Sequence, residues 1–131
     1  MALPIVDEQS IPALDLPGRM LRWVVTNENI DAKNCSMCVI EVQPGHTVKP
    51  AHSHPQGEEV IYLLSGSGRV WIEGEIGKVN QGCAVLFPQG KIHMLQNTSN
   101  EVMKVACFFA PGTSLDNYKF FDDIEFPPEA E

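Results

Sequence analysis

Long apolar runs are absent from this 131-residue chain, and none comes near the ~18 residues that a membrane-spanning helix needs. No membrane partner is therefore expected. Basic residues are also scarce: nine Lys and Arg stand against 17 Asp and Glu, a formal charge of −8, and they form no stripe along the chain. A field of that sign repels phosphate backbones, so nucleic acid is not an expected partner either. Four cysteines, Cys35, Cys38, Cys83 and Cys107, are too few for a disulfide scaffold in a chain long enough to bury its own core. The opening MALPIVDEQS lacks the basic start and long apolar stretch of a secretory signal, because Asp7 and Glu8 follow a short apolar patch. Reduced thiols in the cytoplasm are the expectation. No internal repeat, low-complexity tract or helix-length segment with a 3.6-residue period is present.

What the chain does have is punctuation by turn residues. Residues 1–20 carry Pro4, Pro12, Pro17 and Gly18 and read as an extended arm that can pair as an edge strand. Residues 21–112 alternate short segments rich in Val, Ile, Phe, Trp and Tyr with turns. The segments are LRWVV, CSMCVIEV, EVIYLL, RVWIE, CAVLF, HMLQN and VMKVACFFA; the separators are QPG, SGSG, EGEIG, PQGK and NTSN. Such a pattern predicts a single all-β domain, an antiparallel sandwich or barrel of the jelly-roll kind. Residues 113–131 form an acidic tail whose Tyr118, Phe120, Phe121 and Phe126 are expected to dock on the barrel before the chain frays at Pro127. In the segment starting at Glu59, period-two alternation puts Glu59, Ile61 and Leu63 on one face and Val60, Tyr62 and Leu64 on the other. Both faces are apolar, so something covers the outer one: a second copy in a homodimer, or the N-terminal arm.

The chemistry concentrates between Gly45 and Gly66. On a strand His52 and His54 project from the same face, about 6–7 Å apart along the rise, and both rings can lean onto one ion. Glu58 and Glu59 point opposite ways, so only one of them enters the barrel, and the apolar phase of Ile61 and Leu63 favours Glu59. Downstream, Pro88 and Gly90 supply a turn that places His93 at the head of another strand, with Leu95 and Asn97 in phase. Imidazole and carboxylate together suit a borderline divalent metal ion such as Zn, Mn, Fe, Ni or Co. His46, in a Gly-Pro-flanked turn, reads as solvated. Cys35 and Cys38 sit at i and i+3, so on a strand their thiols face opposite sides and cannot chelate together. No basic residue stands near Cys83 or Cys107 to activate a thiolate. Arg69 is in phase with Trp71 rather than Val70 and so belongs to an outward face.

These two stretches resemble the paired motifs of the cupin family. The first reads His52-x-His54, four residues, Glu59, six residues, Gly66; the second reads Gly82, five residues, Pro88-x-Gly90, two residues, His93, three residues, Asn97. The second match is complete, while the first has six residues rather than five between Gly45 and His52, a longer turn that leaves the ligand spacing intact. The resemblance spans about residues 38 to 110. It implies a cupin jelly-roll β-barrel, an antiparallel double-stranded β-helix, with His52, His54, Glu59 and His93 as metal ligands and Asn97 as a structural position. It further implies a metal-dependent enzyme for a small oxygenated substrate, a sugar acid or a small hydroxy or keto acid, of isomerase, lyase, decarboxylase or dioxygenase type. The alternative is a non-catalytic cupin that binds or senses a small molecule; a structural role ranks last.

Overall fold

A computed structural model describes residues 3–128. The strands, in chain order, are β1 (Leu14–Leu16), β2 (Arg19–Val25), β3 (Ser36–Val42), β4 (Ala51–Ser53), β5 (Glu58–Ser65), β6 (Ser67–Ile72), β7 (Glu75–Asn80), β8 (Ala84–Phe87), β9 (His93–Asn97), β10 (Met103–Ala110) and β11 (Lys119–Phe121). They form two antiparallel sheets, one ordered β1-β2-β3-β10-β5-β8 and the other β11-β4-β9-β6-β7. This is the expected all-β jelly roll. A single helical turn, α1 (Asn27–Ile30), links β2 to β3. Thr26 and Asn29 cap it reciprocally, each side chain accepting from the other's backbone N–H, and Asp31 ends it at φ 60°.

The two sheets pack their inner faces together, as alternation requires. Glu59, Ile61 and Leu63 of β5 are all buried, and Ile61 and Leu63 share one core cluster with Leu21, Ile40, Val42, Val105 and Phe109 of their own sheet and Val70, Val79 and Leu95 of the other. Each fully buried aliphatic side chain of this kind contributes about 1.5–3 kcal/mol relative to exposure.

The sequence reading needs correction in three places. EGEIG is not simply a turn: only Glu73 (φ 47°) and Gly74 (φ 94°) turn, as a hairpin with two left-handed central residues does, and β7 follows at once. That strand escapes pattern reading because Val79 alone is buried on it; even Ile76 is exposed. The N-terminal arm does supply the edge strand β1, but it does not cover β5. It crosses the outer face beside β2 and β10, where Glu8 pairs with Lys104 at 3.0 Å and the Ile11 carbonyl accepts from Arg22 Nε at 3.1 Å. Val60, Tyr62 and Leu64 stay 36%, 46% and 44% exposed, next to Leu86 and Phe108.

The third correction concerns the tail, which does not fray at Pro127. Arg69 projects outward from β6 as expected, yet the tail lies over it: Phe126 packs 4.5 Å from the guanidinium carbon and the Pro127 carbonyl accepts from Nη2. Arg69 is thereby buried, with Nε donating to Gln96 at 2.7 Å. Glu129 and Glu131, counted in the acidic tail, lie outside the described residues.

Candidate metal centre

Cross-strand pairing assembles the inner site. His52 on β4 lies directly opposite His93 at the start of β9, and Glu59 approaches from β5 on the facing sheet. His54 follows β4 by one residue and shares the face of His52. The ligand atoms of His52, His54, Glu59 and His93 all lie within 4.8 Å of one another, and all four residues are buried. Glu58 is exposed and outside the cluster, as the phase of β5 requires.

Hydrogen bonds fix the imidazole orientations. His52 Nδ1 lies 3.0 Å from the Pro50 carbonyl and His93 Nδ1 lies 3.2 Å from the Lys91 carbonyl. A carbonyl only accepts, so both Nδ1 atoms carry a proton, and each ring in its neutral form presents an Nε2 lone pair. The His93 Nε2 lone pair then faces Glu59 Oε1 at 3.2 Å without forming a hydrogen bond, and His54 Nε2 stands 3.0 Å from the same oxygen. Nitrogen lone pair and carboxylate oxygen repel at that separation unless a cation lies between them. His54 Nδ1 and His93 Nε2 are buried polar atoms without a hydrogen-bond partner among the described residues, a cost of about 1–3 kcal/mol each in a metal-free protein.

Electrostatics point the same way. Burial, reinforced by the neighbouring His93, pushes the His52 pKa down to about 3, so its ring is neutral and available as a donor at physiological pH. Burial acts to raise the Glu59 carboxyl pKa, but the hydrogen bond from His54 outweighs it and holds the group below the usual carboxylate range. A carboxylate with three imidazoles is a donor set that fits a divalent transition-metal ion. Arg19, inward on β2 in phase with Leu21 and Trp23, braces the same loop: its Nη1 donates to the carbonyls of Pro17 (3.1 Å) and Lys49 (2.9 Å), one residue before the carbonyl that orients His52.

Aromatic rings wall the cluster. Phe87 stacks on His93 at 3.9 Å with planes 1° apart, and Phe109 meets His54 at 5.0 Å. Tyr118 lies against two of the imidazoles, nearly parallel to His52 at 5.0 Å and edge-on to His54 at 4.4 Å. Sequence reasoning placed Tyr118 only on the barrel surface. No local signal marks it out, because its depth depends on β11 pairing with the ligand-bearing strand β4.

The other singled-out residues fall outside the cluster. Asn97, fully buried, donates to the carbonyls of Val42 (2.9 Å) and Glu101 (2.8 Å) and accepts from the backbone and hydroxyl of Ser99, which makes it structural. His46 is exposed. All four cysteines are free thiols; Cys38 and Cys107 are buried opposite each other on β3 and β10, whereas Cys35 precedes β3 and is half-buried.

The architecture is that of an all-β jelly roll with an inward cluster of three histidines and one glutamate. The family model of the cupin domain matches residues 38–109, more than half of the chain, and the chain belongs to the cupin family. It is 32% identical over 104 residues to a probable germin-like protein (subfamily 2 member 5) of Arabidopsis thaliana, covering 69% of this chain and 48% of that one. It is 28% identical over 94 residues to the tetracenomycin polyketide synthase protein TcmJ of Streptomyces glaucescens, covering 72% of this chain and 62% of the relative. The chain thus spans about half to three-fifths of these curated relatives. Among solved structures, a protein of Thermotoga maritima described as a predicted oxalate decarboxylase superposes with a TM-score of 0.73 at 18% identity, over 82% of this chain and 98% of that one. At that identity the likeness shows the fold.

Proposed function

We propose that His52, His54, Glu59 and His93 hold one divalent transition-metal ion, and that this cupin is a metal-dependent enzyme acting on a small oxygenated substrate. The observation that carries the reading is the contact of the His93 Nε2 lone pair with the Glu59 carboxylate, beside a second unpartnered ring nitrogen on His54. A bound divalent ion would supply Lewis-acid polarisation of a substrate hydroxyl, carbonyl or carboxylate oxygen. Four protein ligands leave room for that oxygen when the coordination is five- or sixfold.

The chain's own residues set the stage for it. The carbonyls of Pro50 and Lys91 lock two imidazoles in the ligating tautomer. Phe87, Phe109 and Tyr118 exclude water, which strengthens every charge interaction inside. Burial raises the Tyr118 phenol above its ordinary pKa, so it stays a neutral hydroxyl. Substrate candidates are sugar acids and small hydroxy or keto acids. The names of two relatives, the polyketide synthase protein and a probable oxalate decarboxylase of Arthroderma benhamiae of which the match covers 23%, support oxygenated substrates; isomerase, lyase, decarboxylase and dioxygenase chemistry are the candidates. Turnover of such compounds is tested with His52→Ala and His93→Ala as controls. Activity that disappears in both variants is the expected result; equal activity in parent and variants contradicts metal catalysis.

A second reading, a non-catalytic binding or sensing cupin, is favoured by one observation: the cavity reaching His54 has a volume of only about 10 Å³. Tight binding of a small anion without chemical change over hours supports that reading.

We place the protein in the cytoplasm, a compartment suited to its free thiols. The bare apolar face formed by Val60, Tyr62, Leu64, Leu86 and Phe108 is assigned to a second copy of the chain, since an antiparallel face of this kind packs on itself about a two-fold axis. Light scattering is expected to give twice the 14.5 kDa chain mass for the parent. Tyr62→Lys with Leu86→Lys is expected to give the monomer, and a monomeric parent removes the dimer.

A further inference from the structure

Resting on the metal reading, we propose that Arg19, carried on the turn between β1 and β2, is a positioning residue of the centre. It fixes the stretch whose carbonyl aims His52 at the ion, and it does so at a cost in stability.

Residues 47–50 lead into β4 and are held from two sides. On the β9 side the Val48 N–H donates to the Leu95 carbonyl at 2.9 Å, and Gln96 Nε2 donates to Thr47 Oγ1 at 2.9 Å. On the other side stands the β1–β2 turn. The Lys49 N–H donates to the Pro17 carbonyl at 3.2 Å, and Arg19 Nη1 donates to the Lys49 carbonyl at 2.9 Å. Both backbone groups of Lys49 are thus taken by the turn. The next carbonyl, that of Pro50, is the one 3.0 Å from His52 Nδ1. Gly18, at φ 79°, permits the close approach, because a Cβ there would lie 1.8 Å from the Thr47 carbonyl oxygen.

For stability alone Arg19 is a poor choice. It is 7% exposed, in phase with Leu21 and Trp23 towards the barrel interior, and no carboxylate pairs with it among the described residues. Its acceptors are the neutral carbonyls of Pro17, at 3.1 Å, and Lys49. Burial pulls its pKa below the ordinary arginine value, as it does for a charge that water would hold better. An apolar side chain of similar volume is tolerated at such a place, because the desolvation cost disappears with the charge. Nor does the charge attract the ion, since it repels a cation bound in the same barrel. What the guanidinium supplies is geometry: one nitrogen joins the turn to the lead-in of β4, so the Lys49 and Pro50 carbonyls keep their directions.

The test uses the full-length protein with cobalt as the probe. Affinity is read by competition with a chelator, ligand geometry by the visible spectrum of the bound ion, and stability by a thermal melt of the metal-free form. Arg19→Met is expected to melt no lower than the parent, to bind cobalt about tenfold more weakly and to shift the cobalt bands. The sign of the affinity change discriminates, because deleting a positive charge without moving a ligand would tighten cation binding. Val105→Ala, a core truncation away from this stretch, is expected to melt lower yet keep the parent's affinity and spectrum. Three results overturn the positioning role alone: an Arg19→Met protein that binds cobalt as tightly as the parent with the same spectrum, one that melts well below the parent or fails to fold, and a Val105→Ala protein with the same spectral shift. No cobalt uptake by the parent overturns the metal reading and the positioning role with it.

Discussion

Zinc added to the metal-free protein is expected to raise its melting temperature by roughly 10 °C, and Glu59→Gln is expected to remove most of that rise. A ligand that binds only the folded state stabilises it by about 4 kcal/mol at a thousand times its Kd, and a domain of this size gains roughly 3 °C per kcal/mol. The folded chain presents its four donors within 4.8 Å of one another, whereas an unfolded chain presents them apart, so binding is strongly biased to the folded state. Glu59→Gln keeps the side-chain shape but removes the only anionic donor of the set. A loss of about a hundredfold in affinity corresponds to about 2.7 kcal/mol, or most of the zinc-induced shift. Melting curves of both proteins with and without zinc check this. A Glu59→Gln protein that gains as much as the parent shows that the carboxylate is not a ligand.

Asn97→Ala is expected to lose roughly 3–5 kcal/mol of stability while leaving the four candidate ligands in place. The Asn97 side chain bridges the end of β9 to β3 and to the turn before β10, donating to the Val42 and Glu101 carbonyls and accepting from the Ser99 N–H and hydroxyl. Truncation leaves the buried Val42 carbonyl without this donor, about 1–3 kcal/mol, and removes the part-buried bonds to the Glu101 carbonyl, which keeps the Ser99 hydroxyl, and from the Ser99 N–H, about 1 kcal/mol each. Asn97→Asp is expected to be no better, because a carboxylate cannot donate to the two carbonyls. Urea denaturation checks both, and a change below about 1 kcal/mol would show that Asn97 is not the tie described.

The parts of this protein that were legible in its sequence are those governed by local spacing. His52-x-His54 and the alternation from Glu59 to Leu63 are period-two statements about one strand each, and they survive folding because a pleated strand has no other way to point its side chains. Glu59 rather than Glu58 followed from the same phase. What was illegible depends on which distant segment lies on which face. β7 is polar and exposed, so nothing in Glu75–Asn80 advertises a strand apart from the hairpin turn before it. The burial of Arg69 depends on where Phe126 and Pro127 come to rest, and the depth of Tyr118 depends on β11 finding β4. The two covers offered for the outer face of β5 could not be told apart from composition. The salt bridge of Glu8 to Lys104 places the arm elsewhere on that face.

Elemental analysis of the purified protein beside its His52→Ala/His54→Ala double variant, both expressed in metal-supplemented medium, tests the metal centre most directly. Close to one equivalent of a divalent transition metal in the parent, and little in the variant, is the result expected. Absence of metal from both proteins, even after reconstitution, would contradict the centre and leave a metal-free binding cup.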